Sequence, residues 1–450
     1  MSIIELDFSS LEPFLQSQGF DCTCGRHHSA PVRDVIIGEN VLFQLPNLLN
    51  SRNIHRPCIV CDENTYKAAG EKICIILSKA GITPHLLKIA SARPEPDEFW
   101  TGAVFMDFDA AYDGILAVGS GTINDICKIL AARTRLPYII AATAPSMDGY
   151  ASSTSSMVRS GIKISLPSSC AEIIVADTAI LSQAPMPMLL AGLGDMIAKY
   201  ISICEWRISH LVTGEYYCET IASLVRASLK QCINAAEQLA ARDPNAVGYV
   251  VKGLILSGMA MSFAGLSRPA SGIEHYFSHI WEMYALEHGQ VPGLHGLQVG
   301  VATLLSLKVY SYIQSLTPDR ETALHYAENF RPEEWTSFVR RIFGSASEEI
   351  IHREAAEGKY RIGPHKERLN RIIDNWDTIL AIIHDELPPY DWLYEKLRTI
   401  GFPLLPQDIN IPDFLVKDAF LATKDIRDKY IGSRLLWDLG KLEEAADALF

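Results

Sequence analysis

The sequence predicts a two-part fold, with an α/β half over residues 1–182 and an all-helical half over residues 183–450. Two observations carry this prediction. Up to Ser182, short apolar runs alternate with helical stretches, and the runs end in a glycine, an acid or a hydroxyl; that alternation is the mark of a parallel sheet wrapped by helices. From Pro185 onward the apolar period is helical throughout, interrupted by Gly and Pro rather than by strand signals.

The elements follow in order. Pro57–Cys61 reads as a buried strand ending at Asp62, with a helix from about Asn64 to Ala80 behind it. An acid at the carboxyl end of such a strand can accept from an adenosine ribose, or can serve as an ordinary helix cap. Gly114–Val118 is a second strand. It runs at once into Gly119-Ser120-Gly121-Thr122-Ile123-Asn124-Asp125 and a helical pattern through Ala132. Strand, glycine turn and helix offer backbone N–H groups and a positive helix end to a diphosphate. Taken alone the turn is a weak sign, because it has neither the G-x-G-x-x-G spacing nor a G-K-[ST] ending. Pro137–Ala141, a third strand, delivers the hydroxyl-rich run Thr143-Ala144-Pro145-Ser146-Met147-Asp148-Gly149-Tyr150-Ala151-Ser152 at the strand end, where open α/β sheets place ligands. Residues 156–166 read as two short strands about a turn at Ser160-Gly161, and Ile173–Ala176 as another strand ending at Asp177. Later, Pro332–Phe343 has the amphipathic period of a helix in a solvated outer layer.

The chemistry concentrates in the helical half. His275, His279 and His295 fall within twenty-one residues, and Asp195 lies upstream in G-L-G-D-M. His275 and His279 are four residues apart, hence on one helix face at about 6 Å between Cβ atoms. Both can bind one ion, or one can bind metal while the other meets substrate. Three imidazoles and a carboxylate suit a divalent cation with an open position.

Together these motifs carry a resemblance. D-E-N-T-Y, G-S-G-T-I-N-D, T-A-P-S-M-D-G-Y-A-S, G-L-G-D-M, S-R-P-A-S-G-x-E-H-x-x-S-H and H-G-x-x-V-G, with I-R-D-K-Y and W-D-L-G near the end, resemble the sn-glycerol-1-phosphate dehydrogenase family. They are most similar to its AraM-type branch, within the iron-containing alcohol dehydrogenase and dehydroquinate synthase superfamily. The resemblance implies a Rossmann-like dinucleotide-binding domain over 1–182 and a helical metal- and substrate-binding domain over 183–450. It implies that Asp62 meets the adenosine ribose, that Gly119, Ser120, Gly121, Thr122, Ile123 and Asp125 hold the diphosphate, and that Thr143, Ala144, Pro145, Ser146 and Ser152 contact the dinucleotide. Asp148 would touch substrate. Asp195, His275 and His295 would hold zinc or nickel, with Asp195 also near the substrate and His279 a substrate contact.

The activity implied is NADH- or NADPH-linked reduction of dihydroxyacetone phosphate to sn-glycerol 1-phosphate, and its reverse, in glycerophospholipid or polyol phosphate metabolism. Hydride arrival puts negative charge on the carbonyl oxygen, which a Lewis acid stabilises, and the oxygen then needs a proton that His279 (reference pKa ~6.5) can shuttle. Arg268 and Lys199 are candidate phosphate partners, and equally cations solvated at the surface or held in internal ion pairs. A homodimer is implied by the family alone. The rival enzymes are a glycerol or other polyol dehydrogenase and a dehydroquinate synthase-like lyase; the latter branch has Glu where this chain has Asp195. A non-catalytic sensor of a nucleotide or sugar phosphate is the rival of another class.

Composition bounds the partners. With 450 residues, 48% hydrophobic, the chain can bury a core in each of two domains. A net charge of −13 argues against a nucleic-acid surface. No uninterrupted apolar run of membrane-spanning length occurs, and M-S-I-I-E-L-D-F lacks a secretory signal's basic start, so the cytoplasm is the expected location. The ten cysteines are scattered, as core thiols of a reduced compartment are. Cys22-Thr23-Cys24-Gly25-Arg26-His27-His28 falls short of a zinc signature because no second cysteine pair follows it, and it is expected to bind no metal.

Overall fold

Four runs, Pro57–Cys61 (β4), Gly114–Gly119 (β6), Tyr138–Ala142 (β7) and Ile173–Asp177 (β10), are buried at every position, the pattern of strands covered on both faces. With Asp34–Gly38 (β3) and His85–Lys88 (β5) they form a six-stranded sheet in the order β3-β10-β7-β6-β4-β5, every pair parallel. Two small antiparallel pairs complete the strands: Phe20–Asp21 (β1) with His27–His28 (β2), and Thr154–Arg159 (β8) with Ile162–Pro167 (β9). The structure, a computed structural model, describes residues 12–15, 19–159 and 162–450. The expected turn at Ser160-Gly161 and the first eight residues lie outside them.

Strands β4, β6, β7 and β10 stand within one residue of where the apolar runs place them, β8 begins two residues before the expected start at 156, and β1, β2, β3 and β5 were not among the expected strands. Behind β4 the chain is helical from Glu63 to Lys79, with a π-helical stretch at Tyr66–Gly70. Helix α1 (Gly121–Thr134) follows β6 directly. One face of the sheet packs Ile59, Leu116, Val118, Ile139 and Val175 against Leu45, Leu49, Ile73 and Leu77. Beyond Asp177 the described residues contain helices and no strand. These include α2 (Met186–Ile197), α3 (Lys199–Thr213), α4 (Glu219–Asn234), α5 (Pro244–Ala264), α6 (Ile273–Glu287), α7 (His295–Gln314), α8 (Pro332–Phe343) and α9 (Asp413–Ile426). Helix α8 has the bounds its amphipathic period predicts.

The compact units are divided otherwise than a cut at residue 182. One unit holds Met1–Met196 and Glu219–Ser267; the other holds Ile197–Cys218 and Arg268–Phe450. The reason is packing. Helix α5 lies against α4, against β3 and against the short 3-10 turn Gly149–Ala151, so α4 and α5 belong with the sheet although their period is that of the helical half. An amphipathic period reports that a helix buries one face, not which partner covers it. By length and composition Met186–Thr213 and Pro244–Ala264 are apolar enough to cross a membrane, and most of each is buried inside the protein, as core helices are.

The second unit is helical. Helix α6 packs on α7 and α9, and α3 packs on α6 and α7. Phe277 of α6 stacks on Phe420 of α9, with ring centroids 6.2 Å apart.

Candidate active site

In the first unit the sheet order sets the location of a ligand. From β4 the chain moves outward to β5 and then returns to place β6 on the other side of β4. The helical connections diverge there, and the crevice beyond the carboxyl ends of β4 and β6 is a topological switch point. Asp62 follows β4, the turn Gly119–Gly121 ends β6, and Thr143 follows β7, so three of the expected segments share this edge of the sheet. Asp62 is also a helix cap. Its Oδ1 accepts from the Thr65 N–H at 2.7 Å, and Thr65 Oγ1 accepts from the Asp62 N–H at 2.9 Å. Burial, opposed by those bonds, raises its pKa.

The glycine turn is built for close approach. A Cβ on Gly119 would lie 2.5 Å from Ile123 Cβ, so strand and helix meet there only through glycine. At Gly121 a Cβ would meet Met147 Cγ at 3.6 Å, ordinary contact, and the protein itself does not require glycine. Ser120 is the N-cap residue of α1 and its side chain caps no helix N–H. It turns to the next loop instead: Ser120 Oγ and Ser146 Oγ are 2.6 Å apart, and the Tyr150 hydroxyl donates to the Ala144 carbonyl at 2.6 Å and lies 3.1 Å from Ser120 Oγ. Asn124, which sequence reasoning passed over, donates to the Gly149 carbonyl at 3.1 Å and accepts from Tyr138. Ile123 is buried. Thr122 sits half-buried in the first turn of α1. Asp125 lies 3.3 Å from the fully buried Lys128 ammonium; burial raises its pKa and that cation opposes the rise. Ser152 Oγ meets Thr154 Oγ1 at 3.0 Å.

Two helices press on this loop through glycines. A Cβ on Gly192 of α2 would lie 1.8 Å from the Pro145 carbonyl oxygen, and one on Gly258 of α5 would lie 2.7 Å from that of Asp148. Asp148 and Asp195 are brought together, since the Asp148 N–H donates to Asp195 Oδ2 at 2.9 Å. Ser257 of α5 donates to Asp148 Oδ2 at 2.9 Å. Asp195 is completely buried.

In the second unit α6 and the start of α7 bring the three histidines together. Ring centroids are 5.2 Å apart for His275–His295, 5.8 Å for His279–His295 and 6.3 Å for His275–His279. Buried acceptors hold the Nδ1 atoms. His275 Nδ1 is 2.8 Å from Glu274 Oε1, His295 Nδ1 is 3.2 Å from Glu282 Oε1 and 3.1 Å from Ser278 Oγ, and His279 Nδ1 is 3.4 Å from Glu282 Oε2. A carboxylate at Nδ1 sets the tautomer with its lone pair on Nε2, as metal-binding imidazoles require. Donor atoms of His279, Glu282 and His295 lie within 4.8 Å of one another, an alternative ligand set. Glu282 already meets two imidazoles, which suits an orienting role. This acid is seven residues beyond His275, on the same helix face, a spacing from which sequence reasoning could have found it.

The segment before α6 is anchored throughout by buried polar groups. Lys199 donates to the Ala270 carbonyl, Ser202 to that of Pro269 and Lys429 to that of Ser271, while Glu205 accepts from the Ile273 N–H at 2.9 Å. Glu205 also accepts from Gly432 N–H and Tyr310, and burial, with Glu274 nearby, pushes its pKa up to about 8. Arg268 lies 2.6 Å from Glu215 and donates to the Tyr430 carbonyl, an internal ion pair. A Cβ on Gly272 would meet Glu205 and Glu274 oxygens at 2.5 and 2.7 Å.

Residues 36–185 match the family described as iron-containing alcohol dehydrogenase. Over 413 residues the chain is 30% identical to a glycerol-1-phosphate dehydrogenase, NAD(P)+, of Halalkalibacterium halodurans, covering 91% of this chain and 93% of the relative. A protein of the same name from Bacillus velezensis is 34% identical over 425 residues, 94% and 95% of the two chains. One from Methanosarcina acetivorans is 31% identical over 345 residues, 71% and 93%. Among solved structures, glycerol dehydrogenase from Schizosaccharomyces pombe superposes with TM-score 0.56 at 15% identity, covering 93% of this chain and 90% of that one. Maleylacetate reductase from a Rhizobium species gives TM-score 0.60 at 12% identity, covering 93% and 97%. At such identities the structural likeness is one of fold.

Proposed function

The chain belongs to the family of glycerol-1-phosphate dehydrogenases, and from that premise we propose that it catalyses the NAD(P)H-linked reduction of dihydroxyacetone phosphate to sn-glycerol 1-phosphate and the reverse oxidation. The observation that carries most weight is the imidazole cluster of α6 and α7, with the His275 and His295 Nδ1 atoms held by buried acceptors. Imidazole and carboxylate donors fit a divalent cation such as zinc or nickel. Asp195, His275 and His295 would hold it. When bound, the ion supplies a Lewis acid at the carbonyl oxygen and the dinucleotide supplies hydride.

The chain's own residues do the rest. The N–H groups at the start of α1 take the dinucleotide's diphosphate, and the room for a Cβ at Gly121 is filled by that ligand. Thr143, Ala144, Pro145, Ser146 and Ser152 line the dinucleotide's side of the same edge, and Asp62 meets its ribose through the oxygen that does not cap Thr65. Asp148, held by Ser257 and by the carboxylate of Asp195, contacts substrate. His279 keeps a proton, with Glu282 accepting at Nδ1, and passes it to the product oxygen.

The test is metal analysis of protein prepared without oxygen, coupled to oxidation of NADH and NADPH with dihydroxyacetone phosphate and with dihydroxyacetone. Turnover confined to the phosphate ester is expected. Turnover with dihydroxyacetone and none with its phosphate would sink the substrate assignment.

A further inference from the structure

The Cys22–His28 segment, expected to bind no metal, has the geometry of a second metal centre. Strands β1 and β2 pair as Phe20↔His28 and Asp21↔His27, and the turn between them closes with the Gly25 N–H donating to the Cys22 carbonyl and the Cys22 N–H donating to that of Arg26, both at 3.0 Å. Gly25 takes a φ of +83°, which this tight turn requires. The folding-back gathers three soft donors: Cys22 Sγ, Cys24 Sγ and a ring nitrogen of His28 all lie within 4.8 Å of one another. Cys24 Sγ is 3.2 Å from His28 Nε2. Around a tetrahedral zinc, with Zn–S of about 2.3 Å and Zn–N of about 2.05 Å, the sulfur and nitrogen stand roughly 3.6 Å apart. A shift of a few tenths of an ångström therefore separates the observed pair from a ligated one.

The second, independent observation is the imidazole's orientation. His28 is buried, and its Nδ1 lies 2.8 Å from the Phe263 carbonyl oxygen of α5. That acceptor can only receive a proton, so Nδ1 carries the hydrogen and Nε2 turns its lone pair toward Cys24. Ligating histidines are tied in this way. Phe20 fixes the ring from the side, at 5.3 Å from His28 and 5.5 Å from Phe263 between centroids. Cys22 Sγ meets the Thr220 hydroxyl of α4 at 3.3 Å.

We propose that Cys22, Cys24 and His28 bind a zinc ion, distinct from the metal of the reaction, that closes the β1–β2 hairpin and fixes the two side chains, Cys22 and His28, by which it meets α4 and α5 of the first unit. Thiolate donors favour zinc over the harder cations, and a fourth ligand completes the tetrahedron. Two strands of two residues each do not hold together in water unaided, so a staple is what such a hairpin needs. On binding, each thiol loses its proton to solvent and its sulfur lone pair forms the bond to zinc, with no redox change.

The experiment compares wild-type protein with Cys22→Ser/Cys24→Ser. The expected result is one equivalent of zinc per chain, released from wild type by a mercurial thiol reagent and measured with a colorimetric chelator, and missing from the double variant, whose other metal stays bound. Cobalt-loaded wild type should show a sulfur-to-cobalt charge-transfer band in the near ultraviolet, absent from the variant. Equal zinc in both proteins, or no such band in the wild type, overturns the proposal; the second readout needs no folded variant. Neither depends on dehydrogenase activity, so the substrate assignment can fail without touching this site.

Discussion

Replacing Gly192 with alanine tests whether α2 sets the position of the Thr143–Ser146 loop. The added Cβ would lie 1.8 Å from the Pro145 carbonyl oxygen and 2.9 Å from its carbon, whereas ordinary contact begins at 3.4 Å. Helix and loop must therefore part by about 1.6 Å, and neither partner can swing aside. The obstacle is a main-chain carbonyl on a residue whose ring restricts φ, and the intruding atom is attached directly to helix backbone. Leu254 Cδ1, at 3.2 Å, closes the remaining direction. A movement of that size breaks the 2.6 Å contact between Ser146 and Ser120 and the 2.6 Å bond from Tyr150 to the Ala144 carbonyl, each worth about 1 kcal/mol net. Overpacking adds about 1–3 kcal/mol.

The assay pairs thermal denaturation with steady-state kinetics. Gly192→Ala should lower the melting temperature by several degrees, and a loop misplaced by more than 1 Å should lower kcat/KM for the dinucleotide by about 100-fold. Gly102→Ala is the control. Gly102 lies within the helix Glu98–Met106, where a Cβ would meet nothing within 4 Å, and alanine there should be neutral or stabilising by about 0.5–1 kcal/mol. Wild-type stability and an unchanged KM for NADH in Gly192→Ala would refute the reasoning, because a 1.8 Å contact cannot be absorbed without movement.

Three further outcomes are expected. His275→Ala and Asp195→Ala should lose both bound metal and turnover while His279→Ala keeps metal and loses turnover; a metal-free His279→Ala protein would favour the set His279, Glu282 and His295 instead, read by elemental analysis of dialysed protein. Gly272→Ala places a Cβ 2.5 Å from Glu205 and 2.7 Å from Glu274, the acid that orients His275, and should lower metal occupancy measured the same way. Asp425 is buried, which alone would raise its pKa, yet Lys424 at 2.5 Å and Lys359 at 3.5 Å hold it down to about 2. A depressed carboxylate stabilises the fold above its unfolded value of 3.8, so about 2 kcal/mol should vanish between pH 3.8 and 2. Asp425→Asn, which takes the carboxylate from buried Lys424 and leaves Lys359 with Glu354 alone, should cost about 3–5 kcal/mol at neutral pH in denaturant titration.

The sheet was readable because its central strands are buried on both faces. Such strands are continuous apolar runs, and Gly114–Gly119 or Ile173–Asp177 can hardly be mistaken. The assignment of α4 and α5 to the sheet's unit was not, since their apolar stripes fit any partner. The same limit separates the candidate ligands from their supports. His275, His279 and His295 stand within twenty-one residues and announce themselves, while Glu205, which holds the start of α6 by accepting from the Ile273 N–H, is 70 positions from His275 and is brought there only by the fold. Cys22-x-Cys24 was discounted for want of a second cysteine pair. A histidine four residues beyond Cys24 takes that place, and its role shows only once Phe263, more than 200 residues away, fixes its tautomer.

This separation explains why the S-R-P-A-S-G-x-E-H motif is so long for one proposed ligand. Of its residues only His275 is placed on a metal; from Arg268 to Glu274 the others are accounted for by what they touch. Arg268 pairs with Glu215 and the Tyr430 carbonyl, the Pro269, Ala270 and Ser271 carbonyls receive Ser202, Lys199 and Lys429, Gly272 makes room for two carboxylates, and Glu274 sets the imidazole's tautomer. Two of those anchors, Lys429 and Tyr430, belong to the I-R-D-K-Y stretch more than 150 residues later. A metal ligand needs its direction fixed to a fraction of an ångström, and a loop of six residues gains that rigidity only when its carbonyls are tied down. The two motifs are therefore halves of one device, and loosening either should weaken metal binding without removing a ligand.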